Sequence, residues 1–352
     1  MSPVDTNSAG RKRMPAEWAR HEATWLSWPH NVGTWPGVLS AAEAAMVQVV
    51  AALAPHERVR INVLDADHRR HVRALLDPHV PAERVTFHEI PTNDAWIRDH
   101  GAIFVFADSG DRIALDFDYN AWGGKYPPWD RDQAVAGQMA QALGVSALRP
   151  EMVLEGGSVD VNGTGCLLTT EQCLLNANRN PSLSREQIED RLAECLGATQ
   201  IVWLGQGIDG DDTDGHIDDI TRFVSETTVV TVVERNAADV NYAALEENRS
   251  RLQSVEIAGR PIELVDLPMP APVLANGQRL PASYANFYIA NEVVLVPVFS
   301  DPADETALGA LRTCFRSRRV VPIEARALVH GLGGIHCLTQ QVPAIGEPTA
   351  GR

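Results

Sequence analysis

Arg58-Val59-Arg60-Ile61-Asn62-Val63-Leu64 reads as a strand, Asp67-His68-Arg69-Arg70-His71-Val72-Arg73-Ala74-Leu75-Leu76 as a helix, and Val85-Thr86-Phe87-His88-Glu89-Ile90 as a second strand. The outer segments alternate apolar and polar residues, which sets one face of each strand against a core. The middle segment is polar and unbroken by glycine or proline. Parallel strands need a crossover of about this length, usually a helix, so the stretch points to a mixed α/β architecture.

Working outward, the alternation recurs. Strands are expected at 103–106 and 113–117, which look like a pair, and at 165–169, 201–204, 227–233, 262–267, 292–298 and 320–323. Helical patterns begin near Arg131, Ser184, Ala237 and Pro302, at intervals of 53, 53 and 65 residues. That spacing suggests a repeated strand–helix–strand cassette, each unit unable to bury its own apolar face. A two-domain doubly wound protein is the alternative. No Gly/Ser linker divides the chain, and the proline-rich run at 268–275 is short, so residues 14–345 are read as one domain.

Composition sets bounds without choosing a function. With 45% hydrophobic and 22% charged residues over 352, the chain has the profile of an ordinary globular protein. No apolar run approaches the roughly 18 residues a bilayer span needs, so no membrane partner is expected. Residues 1–13 are polar and basic, read as a disordered tail and not as a signal peptide. The formal charge of −16 argues against a nucleic-acid partner, which needs a basic face, and would attract a cationic ligand. Five cysteines, an odd count without a Cys-x-x-Cys pair, fit the reducing cytoplasm better than a disulfide framework.

Four segments carry chemistry-bearing side chains among small residues, where a core would not want them. They are Asn93-Asp94-Ala95-Trp96-Ile97-Arg98-Asp99-His100-Gly101, Leu154-Glu155-Gly156-Gly157-Ser158-Val159-Asp160, Asp214-Gly215-His216-Ile217-Asp218-Asp219 and Gly331-Leu332-Gly333-Gly334-Ile335-His336-Cys337. Each lies beside a strand-like stretch and could present a polar group at a sheet end. A thiol, a histidine and several carboxylates suit a nucleophile, a proton shuttle and a cation clamp. Blander readings stand beside these: Cys337 as a buried small hydrophobe, Asp99 paired with Arg98, and Glu155 as a strand end. Asp94 and Asp219 read best as caps or loop acceptors. A divalent-metal site at His216 lacks a His-x-x-x-His or Cys-x-x-Cys companion, so no metal and no cofactor is assigned. His336 adjoins Cys337, but neighbours on an extended segment point to opposite sides, which favours His216 as its partner.

With Met14-Pro15-Ala16-Glu17-Trp18 and Trp25-Leu26-Ser27-Trp28-Pro29, these segments resemble the agmatine deiminases and bacterial peptidyl-arginine deiminases, guanidino-group-modifying enzymes of the pentein fold. The resemblance runs from about Met14 to Pro343. It implies a five-bladed α/β propeller with pseudo-fivefold strand–helix–strand repeats, and a small cationic guanidino substrate. Cys337 is then the nucleophile and His216 the proton shuttle. Asp99 and Asp218 clamp the guanidinium, Glu155 holds another edge of it or orients the histidine, and Trp96 lies along the substrate. Trp122 and Gly334 fall where the substrate's far end would be recognised. The same resemblance implies hydrolysis of agmatine to N-carbamoylputrescine and ammonia, within putrescine and polyamine metabolism. Deimination of free or peptidyl arginine is the alternative, and transfer of the amidino group to an amine is a weaker one.

Two departures from the agmatine enzymes bear on that choice. The segment from Asn120 to Asp130 is compact, and Gly334 stands where many of them have asparagine. Lys125, if it reaches the pocket, would repel a distal amine and attract a carboxylate. The sequence leaves self-association open, and a homo-oligomer is compatible with it.

Overall fold

A computed structural model describes residues 11–346, so most of the expected disordered tail lies outside the described residues. Lys12–Arg13, counted in that tail, instead form a short edge strand, Lys12 opposite Ala107 and Arg13 opposite Phe106.

The architecture is mixed α/β, and five of its sheets repeat one pairing pattern. In each, a first strand runs antiparallel to a second, which pairs in parallel with a third reached through a helix. Ile103–Ala107 pairs with Arg112–Leu115, then the helix Val135–Leu143 leads to Ser146–Leu148. Asp160–Val161 pairs with Cys166–Thr170, then Arg185–Leu196 leads to Gln200–Leu204. Thr221–Phe223 pairs with Thr228–Val233, then Tyr242–Gln253 leads to Glu263–Pro268. Tyr288–Ile289 pairs with Val293–Val298, then Asp304–Cys314 leads to Arg319–Glu324. The fifth sheet joins the chain's two ends. Gln340–Pro343 pairs with His21–Ser27, and the helix Leu39–Leu53 leads to Arg58–Val63, which also carries Val85–Glu89.

Local chemistry accounts for the helix limits. Ser184 caps Arg185–Leu196 by a reciprocal exchange with Gln187, and left-handed Gly197 ends it. Asp65 caps Ala66–Leu76 by accepting from the backbone of Asp67 and His68. The core sits between sheets and helices, with Trp25, Trp28 and Trp35 fully buried. Among the described residues, no helix is long and apolar enough to cross a membrane.

The repeat does one thing for function. In four of the five sheets the stretch entering the first strand carries one of the chemistry-bearing segments: Asp99 before Ile103, Glu155 before Asp160, His216 and Asp218 before Thr221, and Cys337 before Gln340. The fifth such loop, before Tyr288, carries Asn286.

Candidate active site

Cys337 lies in the wall of a cavity of about 670 Å3, together with Trp96, Asp99, Trp122, Asp94 and Lys125. His216, Glu155, Asp218 and Gly334 are not on that wall; the first three are fully buried behind it. A larger groove of about 810 Å3 passes Trp18, Arg20, Arg58 and Arg318 and holds none of these residues, so it is set apart from the chemistry.

The glycines of the cysteine loop make room for particular neighbours. A Cβ on Gly333 would collide with the Trp96 ring, and one on Gly334 with the Asn286 side chain. Gly334, expected at the substrate's far end, thus packs inward on Asn286, while Gly333 lines the cavity. Asn286 in turn donates from Nδ2 to Cys337 Sγ at 3.2 Å and accepts from the His336 backbone N–H at 2.9 Å.

Trp122 reaches the site through unusual backbone. Ala121, Trp122, Gly123 and Gly124 have φ of 52°, 55°, 89° and 80°, four left-handed residues in succession. For a residue with a Cβ this costs about 1–2 kcal/mol. Asn120 holds the turn by accepting from Gly123 N–H at 2.8 Å. The outcome is an indole N–H that donates to Asp99 Oδ2 at 3.0 Å, while Gly157 N–H donates to Asp99 Oδ1 at 2.9 Å. Asp99 is therefore fixed from both sides on the cavity wall. Arg98 makes other bonds, donating to Gln341 Oε1 at 2.8 Å and lying 3.4 Å from Glu17.

Two buried histidines flank the thiol's surroundings. His336 places Nδ1 2.6 Å from Asp218 Oδ2 and Nε2 2.7 Å from Glu17 Oε2, which only a doubly protonated ring satisfies with both carboxylates ionised. His216 has no hydrogen-bond partner on either nitrogen; its nearest carboxylate oxygen is Asp99 Oδ1, 3.7 Å from Nδ1. Gly157 permits this approach, since a Cβ there would stand 2.5 Å from His216 Nδ1. Glu155 meets an internal guanidinium: Arg179 Nε donates to its Oε1 at 2.7 Å, and Oε2 has no partner. Glu155, Cys173 and His216 each bring one donor atom within 4.8 Å of the other two.

Burial and the carboxylates set the charge states. Burial, with Asp218, Asp219 and Asp99 adding to it, pushes the Cys337 thiol well above its ordinary value. Burial would lower His216, but Asp99, Cys173 and Asp218 outweigh it and hold the imidazolium well above 6.5. Asp99 is raised by burial, with His216 offsetting and Asp218 adding. Burial opposes ionisation of Asp218, but His336 and His216 prevail and lower it. Glu17 is likewise held well below its usual value, against burial, by Arg222, His336 and Arg98. Before any ligand enters, these surroundings favour the protonated form of both the Cys337 thiol and the His216 ring.

Several participants were not singled out from sequence. Glu17 stands inside a quoted segment without a role, yet it receives Arg222 at 2.9 Å as well as His336. Asn286 belongs to no segment of unusual composition, and only the sheet repeat would have pointed to its loop. Cys173 sits on the short helix Glu171–Leu174 beneath His216 with nothing in its neighbours to mark it. Asp94, read as a loop acceptor, does accept from Thr34 Oγ1 at 2.5 Å, and it also faces the cavity.

Known proteins resemble this chain over nearly its whole length. Residues 13–343 match the model of the Porphyromonas-type peptidyl-arginine deiminase family. An agmatine deiminase of Stutzerimonas stutzeri is 40% identical, the match covering 94% of this chain and 95% of the relative. The solved agmatine deiminase of Enterococcus faecalis superposes with a TM-score of 0.90 at 32% identity, over 96% of this chain and 99% of that one. An amidinotransferase of Microseira wollei, at 13% identity and a TM-score of 0.52 over 96% of this chain and 98% of that one, shares the fold alone. With relatives matched at this identity and nearly full length, the chain belongs to the Porphyromonas-type peptidyl-arginine deiminase family.

Proposed function

We propose that this protein hydrolyses the guanidino group of agmatine, giving N-carbamoylputrescine and ammonia through a covalent Cys337 intermediate. The observation that carries the reading is a thiol and a doubly anchored carboxylate, Cys337 and Asp99, sharing one cavity wall between two tryptophans. A planar, always-charged guanidinium is matched by carboxylates that accept its N–H groups in pairs. Asp218 lies behind, its Oδ2 3.8 Å from Cys337 Sγ and its Oδ1 without a partner.

Burial together with the Asp99 and Asp218 charges keeps the thiol protonated; the incoming cation offsets those charges, and the thiol proton passes to solvent as substrate binds. The Cys337 sulfur then bonds to the central guanidinium carbon. A carbon–nitrogen bond breaks, and His216 gives its proton to the departing nitrogen, which leaves as ammonia. Neutral His216 next takes a proton from water, whose oxygen attacks the thiouronium carbon. The carbon–sulfur bond breaks as the remaining hydroxyl proton of the adduct passes to the departing sulfur, releasing the ureido product and restoring the Cys337 thiol. Glu155, held by Arg179, acts from behind His216 and not on the substrate directly.

The cavity wall favours a substrate cationic at both ends. Besides Asp99 it carries Asp94, Asp132 and Asp212, and its single lysine is paired: Lys125 Nζ is 2.8 Å from Asp214 Oδ1 and 3.6 Å from Asp212 Oδ1. The repulsion expected of a free Lys125 toward a distal amine is therefore largely offset. Free or peptidyl arginine, the alternative, would bring a carboxylate or amide to this acidic wall.

The five sheets of one pairing pattern support reading residues 14–345 as a single catalytic domain arranged as a five-bladed α/β propeller. Five free cysteines support a reducing, cytoplasmic setting.

The deciding assay measures ureido product from agmatine, free arginine and a blocked arginine peptide, compared by kcat/KM. Agmatine should be best; faster turnover of either arginine compound overturns the agmatine assignment. Cys337→Ser should lose at least about a thousandfold in kcat. Mass spectrometry of acid-quenched enzyme should find substrate mass on the Cys337 peptide; label on another cysteine refutes the nucleophile.

A further inference from the structure

We infer that Glu155, Cys173 and His216 form a buried site for a thiophilic divalent cation such as Zn2+ or Cd2+, and that occupancy arrests the enzyme by withdrawing His216 from proton transfer. The second half rests on the role proposed for His216 above; the first half does not. One sulfur, one imidazole nitrogen and one carboxylate oxygen lie within 4.8 Å of one another. This mixed donor set suits Zn2+ and its heavier congener and is a poor match for Mg2+ or Ca2+, which prefer oxygen alone.

The donors are also unused. Glu155 Oε2 and both ring nitrogens of His216 are buried without a hydrogen-bond partner, which is costly for polar atoms unless something else occupies them. Arg179 occupies only the other oxygen of Glu155. Two of the three side chains also hang from backbone that is tied together. Thr170 Oγ1 accepts from Cys173 N–H at 3.2 Å and donates to Gly215 C=O at 2.6 Å, locking the cysteine helix to the histidine loop. Tetrahedral Zn2+ takes its ligands at about 2.0–2.3 Å, so donors this far apart close by roughly an ångström, within the reach of side-chain rotation.

Charge favours a cation here. Asp99 on the cavity wall and buried Asp218 both act on His216, and Asp211, whose Oδ2 accepts the His216 backbone N–H at 3.0 Å, adds a third carboxylate. Arg179 is the opposing charge. Coordination displaces the thiol proton of Cys173 and the ring proton of His216, so two protons leave as two ligand bonds form. All three ligands are fully buried, and inhibition should therefore set in slowly.

The test uses Cys337→Ser protein, which removes the competing thiol at the cavity wall. Titration with Cd2+ should give one equivalent of binding with a thiolate-to-metal charge-transfer band in the ultraviolet. The band should vanish in Cys337→Ser/Cys173→Ser, with Cys173→Ala serving if serine is poorly tolerated. X-ray absorption of the Zn2+-loaded Cys337→Ser protein should find one sulfur among nitrogen and oxygen ligands, a result that needs no change at Cys173. A band that survives loss of Cys173, or a zinc environment without sulfur, overturns the site. In the activity arm, Zn2+ should inhibit wild type slowly and reversibly by chelator. The concentration for half-inhibition should rise at least about tenfold in Cys173→Ser, each protein measured against its own uninhibited rate. Equal sensitivity of the two proteins would place the inhibitory ion on Cys337 instead. Absence of agmatine turnover by wild type would refute the deiminase reading and leave the spectroscopic arm to decide the site alone.

Discussion

His336 and His216 are both buried, both in loops entering a first strand, and both close to Asp218, yet they are built for opposite tasks. His336 is clamped at 2.6 Å and 2.7 Å between Asp218 and Glu17, with Arg222 and Arg98 completing the charge balance. His216 has two empty nitrogens and a carboxylate at 3.7 Å. A ring whose protons are already committed cannot hand one over cheaply; a ring without partners can. The difference teaches that being next to the nucleophile in sequence matters less than what the ring is bonded to. His336 organises Asp218, and His216 is left to move protons.

The largest expected effect separates the two directly. His216→Asn should lose about a thousandfold in kcat, within the usual range for removing a general acid–base group, with a smaller loss of stability than His336→Asn. His336→Asn removes the partner of two buried carboxylates and should lose about 3–5 kcal/mol of stability. Denaturant titrations beside kinetics decide it. If His336→Asn keeps wild-type stability, or His216→Asn keeps its kcat, the division of labour is wrong.

A smaller effect concerns the clamp. Asp99→Asn and Asp218→Asn should each cost roughly 2–5 kcal/mol in kcat/KM, the range for breaking a desolvated charge pair. Only Asp218→Asn should also reduce stability, because only Asp218 holds His336. Near-normal kinetics in either variant would make its carboxylate structural.

The two histidine neighbourhoods should also divide the pH dependence of stability. Glu17 and Asp218 are lowered from 4.5 and 3.8, so their contribution is present above those values and disappears as pH falls through the folded ones. His216 is raised from 6.5, so its contribution is complete below that value and is lost as pH rises through the folded one. Asp99 and Asp219 are raised and act against the acid-side trend, so differences between proteins are the measure. Tm against pH should lose part of its acid slope in Glu17→Gln and part of its alkaline slope in His216→Asn. Parallel curves for wild type and both variants would contradict the assignment.

How much was legible follows the range of the interactions involved. The strand–helix–strand unit from Arg58 to Glu89 is local pattern, and its observed limits lie within a residue or two of those read from sequence. The helix Leu39–Leu53 was not read: it is rich in alanine and valine and buries eight residues, so no polar stripe marks it. The strand Gln340–Pro343 is short, begins with two glutamines, and is a strand because His21–Ser27 lies beside it. Within the site, Cys337, His216 and Asp99 announce themselves as reactive groups among small residues. Glu17 does not, because its meaning lies in His336, 319 residues away, and Asn286 acquires one only through Cys337, 51 residues on. Long-range pairing of this kind has no local signature.

The smallest expected effect tests whether the His216 side is coupled to the cavity rim. Lys125 Nζ bonds Asp214, Asp214 bonds Arg179 at 2.7 Å, and Arg179 holds Glu155 in the layer that contains His216. No comparable chain of ion pairs runs from a cavity-lining lysine to His336 among the described residues. The Lys125 side chain is 28% exposed, so its pairs are worth about 0.2–1 kcal/mol each and their loss should change rates only severalfold. Lys125→Ala would free Asp212 and Asp214 at the rim, where Asp212 lines the cavity beside the expected distal amine. The ratio of kcat/KM for agmatine to that for free arginine should then rise about twofold to fivefold, as one screened charge pair is removed. A ratio that stays fixed while kcat falls for both substrates would mean that Lys125 acts only through Arg179 and Glu155. A fall in the ratio would mean that the lysine supports amine recognition instead of opposing it, and the acidic rim would lose its place in substrate choice.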